Sequence, residues 1–330
     1  MNFSVIICTY QRPESLRVLL KSIQSQTIKP NDLIIVDGSL DNKTEVLLKT
    51  EFDDFLELNY ILVDSDQRGL TKQRNIGIKR VNAQSEVVVF LDDDLILEAD
   101  FLLNLLSTFE DEKVIGADGL ITNENYWIKS QPNEVHKLNY KYLDGYKLKL
   151  SSRDIIRKIF GSYPTNIQPG LIPKYGHGKS SLPPTGKSYF VEHIMGGITA
   201  YRVKLFEKIG FSEFFEGYGL YEDFDFSVRA SRYGVLVTNT AARCEHHHAA
   251  SGRPNTYKYG KMVVWNGYYV WRLKHPKLDF WNIQKWWFIT FLLVSLRLMN
   301  AIGGPNRKES LFEAVGRLHS LGRLIFSKPI

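Results

Sequence analysis

The first third of the chain constrains its fold most, because it alternates with a regular beat. Four β-rich runs, at 3–9, 33–36, 57–63 and 87–91, are each followed by a helical pattern, at 14–26, 44–49, 71–80 and 97–109. Strict alternation of this kind requires right-handed crossovers and predicts a mostly parallel central sheet with helices on both faces. The unbroken apolar runs Val5-Ile6-Ile7 and Val87-Val88-Val89-Phe90-Leu91 fit strands buried on both sides. In such sheets ligands collect beyond the carboxyl ends of the strands. The segments to read are therefore Thr9-Tyr10-Gln11-Arg12, Asp37-Gly38-Ser39, Asp64-Ser65-Asp66 and Asp92-Asp93-Asp94.

Beyond this region the pattern changes. Residues 122–187 are polar and aperiodic, with scattered tyrosines and with Gly161, Pro164, Pro169, Gly170, Pro173, Pro183 and Pro184, which reads as a lid or binding loop. Order resumes with an apolar run at 189–195, the turn Gly196-Gly197, helical patterns at 203–209 and 222–233, and a strand at 235–238. Residues 1–250 are expected to form a catalytic domain: a ligand-binding half at 1–120, an insertion at 121–188 and a second half at 189–250. Residues 251–330 are expected to be a helical, amphipathic extension.

Two cysteines, Cys8 and Cys244, are too few for a disulfide framework or a structural zinc module. The start Met1-Asn2-Phe3-Ser4 lacks a basic lead and a long apolar segment, so the expected location is cytoplasmic. Basic residues crowd the last quarter, which suits an anionic surface or a solvated face. There the apolar run 286–296 is bounded by Lys285 and Arg297. A membrane span needs about 20 apolar residues. The run falls short of that and suits a buried helix or one lying in a membrane interface, which makes peripheral attachment at the inner face a second expectation for location.

Asp92-Asp93-Asp94 is the strongest chemical signal, since adjacent carboxylates at a strand end repel one another unless a cation neutralises them. Oxygen ligands suit Mg2+ or Mn2+, completed by substrate phosphates and water. The plainer reading is that one aspartate caps the next helix. Glu222-Asp223-Phe224-Asp225 opens a helix, where a carboxylate could act as general base or simply pair with Arg229. The glycine-flanked turn Glu216-Gly217-Tyr218-Gly219 just upstream would let a substrate approach the backbone. In His246-His247-His248, the outer two share a side of an extended chain and could join Asp92 and Asp94 on a metal, or could be idle surface imidazoles. No P-loop, G-x-S-x-G elbow, G-x-G-x-x-G, H-E-x-x-H or paired C-x-x-C occurs, and no nucleic-acid module accompanies the basic C-terminus.

Taken in order, S-V-I-I-C-T-Y-Q-R-P-E-S-L at 4–16, L-I-I-V-D-G-S at 33–39, G-L-T-K-Q-R-N at 69–75, V-V-V-F-L-D-D-D at 87–94, G-G-I-T-A-Y-R at 196–202 and Y-E-D-F-D at 221–225 resemble the family 2 glycosyltransferases, inverting enzymes of the GT-A fold. The resemblance reaches to about residue 250, the insertion apart, and does not cover the C-terminal extension. It implies transfer of a sugar from a nucleoside diphosphate donor, UDP- or dTDP-linked, to a hydroxyl of a glycan or lipid-linked glycan during bacterial surface polysaccharide assembly. It also implies roles. Thr9, Arg12, Asp37 and Arg74 would hold the nucleoside and phosphates, with Asp93 beside them. Asp92 would face ribose and metal, and Asp94 would ligate the metal, with His246 first and His248 second as histidine ligands. Asp223 would be the general base, and Glu222 with Gly196-Gly197 would shape the sugar pocket. The loop Asp37-Gly38-Ser39-Leu40-Asp41 departs from the family pattern, which bears on the contacts to the donor base. Two other classes compete. A sugar-phosphate nucleotidyltransferase would need a glycine- and lysine-rich first loop, which Thr9-Tyr10-Gln11-Arg12-Pro13 lacks, and a non-catalytic carbohydrate- or membrane-binding module would have no need of Asp92, Asp94 and Asp223.

Overall fold

The computed structural model describes residues 1–53, 57–161, 181–215, 217–248 and 254–329. The chain begins with β1 (Phe3–Thr9), α1 (Pro13–Gln24), β2 (Asp32–Asp37), α2 (Lys43–Glu51), β3 (Glu57–Leu62), α3 (Leu70–Ile78), β4 (Val87–Asp92), β5 (Leu95–Leu97) and α4 (Phe101–Ser107). It continues through β6 (Val114–Ile121), β7 (Ile128–Lys129), β8 (Tyr140–Leu143), β9 (Tyr146–Lys149), α5 (Ser152–Ile159), β10 (Ser188–Val191), β11 (Ile198–Arg202), α6 (Glu222–Ala230) and β12 (Val235–His246). Three helices close it: α7 (Thr256–Lys274), α8 (Phe280–Gly303) and α9 (Arg307–Phe326). Two compact units result, one of Met1–Trp127 with Ser181–Gly252 and one of Ile128–Ser180 with Arg253–Ile330.

In the first unit a large sheet runs β10-β12-β6-β11-β4-β1-β2-β3. The four strands of the alternating region are mutually parallel, with β1 between β2 and β4. Beyond them the sheet is mixed: β11 is antiparallel to both β4 and β6, while β12 runs parallel to β6. Burial follows the sequence pattern, since Val5, Ile7, Val87 and Val89 are at most barely accessible on either face. Helix α1 starts at Pro13, whose missing N–H costs nothing in a first turn, and presents Leu16, Leu19, Leu20 and Ile23 to the core. The register sets Cys8 opposite Asp92 and Thr9 opposite Asp37, so the carboxyl ends of β1, β2 and β4 finish level.

The sequence pattern does not announce β6. Its Gly116 lies where a Cβ would stand 2.6 Å from the Tyr201 ring, and at Gly119 a Cβ would stand 2.5 Å from the Ala242 carbonyl. These glycines weaken the strand signal yet are what lets β6 sit between its neighbours. β12 likewise extends past the expected 235–238. After a register shift between Thr238 and Arg243 it pairs again with β6 and also with β5, which carries it to His246.

In the second unit, β7, β9 and β8 form a three-stranded sheet, and α5 is closed by a capping box between Ser151 and Asp154. The segment that reads as aperiodic thus contains local order, in a hairpin turned by Asp144 and Gly145 at φ 48° and 76°. The expected lid residues Pro164, Pro169, Gly170 and Pro173 lie outside the described residues. α7 and α9 meet at glycines: a Cβ at Gly260 would stand 2.2 Å from the Glu313 carbonyl, and one at Gly316 2.1 Å from that of Tyr257. Trp271 of α7 stacks on Trp286 of α8 with centroids 5.1 Å apart. The apolar run at 286–296 is the middle of a longer helix. α8 is capped by Asp279, whose side chain accepts from the Asn282 N–H, and continues through Lys285 and Arg297 for 24 residues, long and apolar enough by length and composition to cross a membrane. The two flanking cations do not end it because neither breaks a helix, whereas Gly303-Gly304-Pro305 does.

Candidate active site

The carboxyl ends of β1, β2 and β4 bring most of the expected residues together. Asp93 turns inward: Thr9 Oγ1 donates to it at 2.6 Å and Arg12 Nη1 at 2.9 Å, and burial pushes its carboxyl up to about 6 against the pull of Arg12. Arg12 also stands 3.5 Å from Asp94. Part of the repulsion within the aspartate triplet is therefore relieved by the protein's own guanidinium groups. Asp37 ends β2 fully buried, accepting from the Ser39 N–H at 2.8 Å and from the Tyr60 hydroxyl at 3.0 Å.

Asp92 and Asp94 point elsewhere. His246, delivered by the tail of β12 opposite Leu95, places Nε2 3.0 Å from Asp94 Oδ1. Ligand atoms of Asp92, Asp94 and His246 all lie within 4.8 Å of one another, two oxygens and one imidazole nitrogen suited to one divalent cation. Burial raises Asp92, with Arg74 opposing and Asp94 adding to the rise. Burial lowers His246, but its hydrogen bond to Asp94 together with the charges of Asp94, Asp92 and Glu124 outweighs that and leaves it raised. His248 joins a second group instead, standing 2.5 Å from Glu124, which also lies 3.3 Å from His246 Nδ1. His247 faces away and pairs with Glu245.

A second set of groups arrives on α6 and the turn before β11. Arg74, 2% exposed, links both sets: Nη1 donates to Glu222 at 2.5 Å, Nη2 to the Gly196 carbonyl at 2.9 Å, and Nη2 lies 3.5 Å from Asp92. Burial drives Glu222 up to about 7, with Arg74 opposing and Asp223 reinforcing the rise. Arg229, one candidate partner for the acids of this helix, pairs with Asp225. Gly196 and Gly197 are required by space, since a Cβ at either would stand 2.4 Å from Glu222 Oε1 or 2.3 Å from Asp92 Oδ2. The turn ahead of α6 needs left-handed backbone at Gly217, Gly219 and Tyr221, with φ 66°, 71° and 72°; Glu216 lies outside the described residues.

Asp223 keeps about a quarter of its side chain accessible. Its Oδ1 accepts from the Phe224 N–H at 2.8 Å, and Oδ2 stands 3.2 Å from His193 Nε2 and 3.5 Å from the Gly196 N–H. Burial would raise this carboxyl, but the histidine and the two amides hold it below the usual range. His193, Glu124 and Tyr60 are not among the residues that the sequence singles out. His193 follows Glu192 within the run Val191-Glu192-His193-Ile194-Met195, and nothing in that local sequence separates it from an ordinary polar neighbour.

Glycosyl transferase family 2 matches residues 4–162, and the N-terminal domain of galactosyltransferase matches residues 176–250. Residues 4–162 form a glycosyl transferase family 2 domain. The chain is 28% identical over 137 residues to the glucosyl-dolichyl phosphate glucuronosyltransferase of Haloferax volcanii, a match spanning 40% of this chain and 41% of the relative. It is 24% identical over 274 residues to the O-antigen chain rhamnosyltransferase RfbN of Salmonella typhimurium, spanning 82% of this chain and 74% of that one. It is 32% identical over 93 residues to the GalNAc(5)-diNAcBac-PP-undecaprenol beta-1,3-glucosyltransferase of Campylobacter jejuni, spanning 28% and 29%. Among solved structures, the mannosyltransferase PcManGT from Pyrobaculum calidifontis, in complex with GDP-Man and Mn2+, superposes with TM-score 0.57 at 14% identity, over 97% of this chain and 87% of that one. GalNAc-T7 with UDP, GalNAc and Mn2+ gives 0.52 at 15% identity, over 80% and 48%. The mixed sheet with its flanking helices is the GT-A fold of the family.

Proposed function

We propose that this family 2 member is an inverting, metal-dependent glycosyltransferase that moves a sugar from a nucleoside diphosphate donor to a hydroxyl of a glycan or lipid-linked glycan in bacterial surface polysaccharide assembly. The observation that carries the reading is the pairing of two differently prepared carboxylate sets: Asp92 and Asp94 gathered with His246, and Asp223 standing apart in an ionised, partly accessible position. Asp92, Asp94 and His246 would hold Mn2+ or Mg2+, which supplies charge neutralisation for a departing diphosphate. His248 is an alternative ligand, reaching through the group it forms with Glu124. Arg12 and Thr9 would support the diphosphate side through Asp93, and Asp37, buried at the end of β2, would meet the donor base. Arg74 would fix Asp92 and Glu222 relative to each other, with Glu222 and the Gly196-Gly197 turn bounding the sugar pocket.

Asp223 would take the proton from the acceptor hydroxyl as that oxygen attacks the anomeric carbon from the side opposite the nucleotide. A carboxylate held ionised by donated hydrogen bonds is ready for this at ordinary pH. The acceptor assignment draws on the Campylobacter and Haloferax relatives, whose names specify undecaprenol- and dolichyl-linked sugars. A lipid-linked acceptor fits α8, where Trp281, Phe288, Phe291 and Ile302 are exposed beside Lys285, so the protein would work at the cytoplasmic face of a membrane.

The test is a thermal-shift screen with UDP, dTDP and GDP, each with and without Mn2+, followed by turnover of Asp223→Asn. Binding to the native state raises the melting temperature, so a Mn2+-dependent shift by one nucleotide is expected. Asp223→Asn should keep that shift while transfer falls roughly a hundredfold to ten-thousandfold. Unchanged transfer would remove Asp223 from the role of base.

A further inference from the structure

The loop from β10 to β11 is pinned at every step. The Ile194 N–H donates to Ser227 Oγ at 3.2 Å, the Met195 N–H to Asp118 Oδ2 at 2.8 Å, the Gly196 carbonyl accepts from Arg74 at 2.9 Å, and the Gly197 carbonyl accepts from the Asp92 N–H at 2.9 Å. Asp118 is itself buried on β6, with Thr238 donating to its other oxygen at 2.5 Å. His193 is held at the head of this loop, 8% exposed, its ring against Phe224 with centroids 5.4 Å apart. Its Nε2 lies 3.2 Å from Asp223 Oδ2, while its Nδ1 is buried with no hydrogen-bond partner among the described residues. A buried, half-satisfied imidazole is a poor choice for packing alone, because an apolar side chain of like volume would fill the space without an orphaned nitrogen. The choice makes sense if the engaged nitrogen serves Asp223.

We infer that His193 is the positioning residue of the general base: its Nε2–H donates to Asp223 Oδ2 and, with the Phe224 and Gly196 amides, fixes the orientation and the ionised state of that carboxylate. This deepens the reading of Asp223 as base and rests on it. The proton that Asp223 takes from an acceptor comes from the substrate, and His193 need not give up its own. Among the described residues, the other titratable and charged groups around Asp223 are Glu222 beside it on α6, Tyr201 on β11, and Arg74 on α3 beyond Glu222. The acid and the phenol offer no positive charge to the carboxylate, and Arg74 is engaged by Glu222, Asp92 and Gly196. His193 is thus the side chain that holds Asp223 down.

That donation sets the direction of the effect. A carboxyl held below its ordinary range by a donor rises when the donor is removed, so its ionised form is lost at higher pH. In 13C-aspartate-labelled protein, with Asp223→Asn identifying the resonance, the Asp223 carboxyl should titrate at higher pH in His193→Ala than in wild type. His193→Gln, which can again present an N–H, should return it most of the way. The acid limb of kcat/KM for Mn2+-dependent hydrolysis of the fastest donor in a UDP- and dTDP-sugar panel should move in the same sense, with kcat falling roughly tenfold in His193→Ala and nucleotide affinity unchanged. Coincident titrations in wild type and His193→Ala, or identical behaviour of the Gln and Ala variants, would overturn the assignment. If His193→Ala does not fold, the Gln variant is compared with the near-isosteric His193→Met on the same readouts, and equal titrations overturn it equally. A wild-type rate in Asp223→Asn would instead remove the base reading, and the NMR titration would still report whether His193 controls the carboxyl.

Discussion

The parallel half of the sheet and its mixed half meet at the same site but are assembled by different means. In the parallel half, Thr9, Asp37 and Asp92 to Asp94 arrive because β1, β2 and β4 end at a common level, each strand fixed by its neighbour's register. In the mixed half, Glu124, His193, Asp223 and His246 come from four separate segments, tied by side chains such as Asp118 and Arg74 that bridge 77 and 148 positions of sequence respectively. The first construction is modular and tolerates drift in the loops. The second depends on individual buried polar contacts, where losing one partner leaves the other unsatisfied. The parallel half should therefore supply the carboxylate ligands of an ion and the donor contacts, and the mixed half the histidine ligand and the readiness of the reacting groups.

The sharpest way to break that contrast is Asp94→Ala. It removes an oxygen from the Asp92, Asp94 and His246 group and the partner of His246 Nε2. The Mn2+-dependent thermal shift by nucleotide should vanish and transfer should drop about a thousandfold, the rate equivalent of several kcal/mol. A variant that still binds Mn2+ and nucleotide normally would place the ion elsewhere. Glu124→Gln tests the mixed half's influence on the same ion. A carboxylate beside the far nitrogen of a ligating histidine orients the ring, and losing it should weaken Mn2+ affinity by roughly tenfold to a hundredfold, read by titration calorimetry. Equal affinity would confine Glu124 to pairing with His248. The smallest effect belongs to Thr9→Val, which deprives buried Asp93 of one donor and leaves Arg12. A loss of about 1–2 kcal/mol in denaturant unfolding is expected, with Asp223 still titrating as in wild type. A change in that titration would mean the two halves are not separable.

How much of this is legible in the sequence divides along the same line. β1, β2 and β4 declare themselves because a strand buried on both faces is a run of Val, Ile and Leu, and α1 because it repeats its apolar residues at helical spacing. The aspartate triplet stands out for the same reason, as charge placed where apolar sequence stops. β6 does not, because Gly116 and Gly119 mask a strand whose neighbours, Tyr201 and the Ala242 carbonyl, lie far away in the chain. The second stretch of β12 is likewise created by partners in β5 and β6 and has no local periodicity to report it. His193 and Glu124 acquire meaning only from the groups about 3 Å away from them in space. Arg229 illustrates the limit on a single helix: spacing alone puts Asp225 one turn away and in reach, and that pair forms, whereas the partner of Glu222, Arg74, comes from another helix far away in the chain.

The Arg74 guanidinium joins the two halves as one flat, inextensible plate. Because the same rigid group grips Glu222 and the Gly196 carbonyl and stands 3.5 Å from Asp92, one side chain sets the spacing between the two carboxylates. Lysine, a point charge on a pliant stem, would keep the charge and sever that mechanical link.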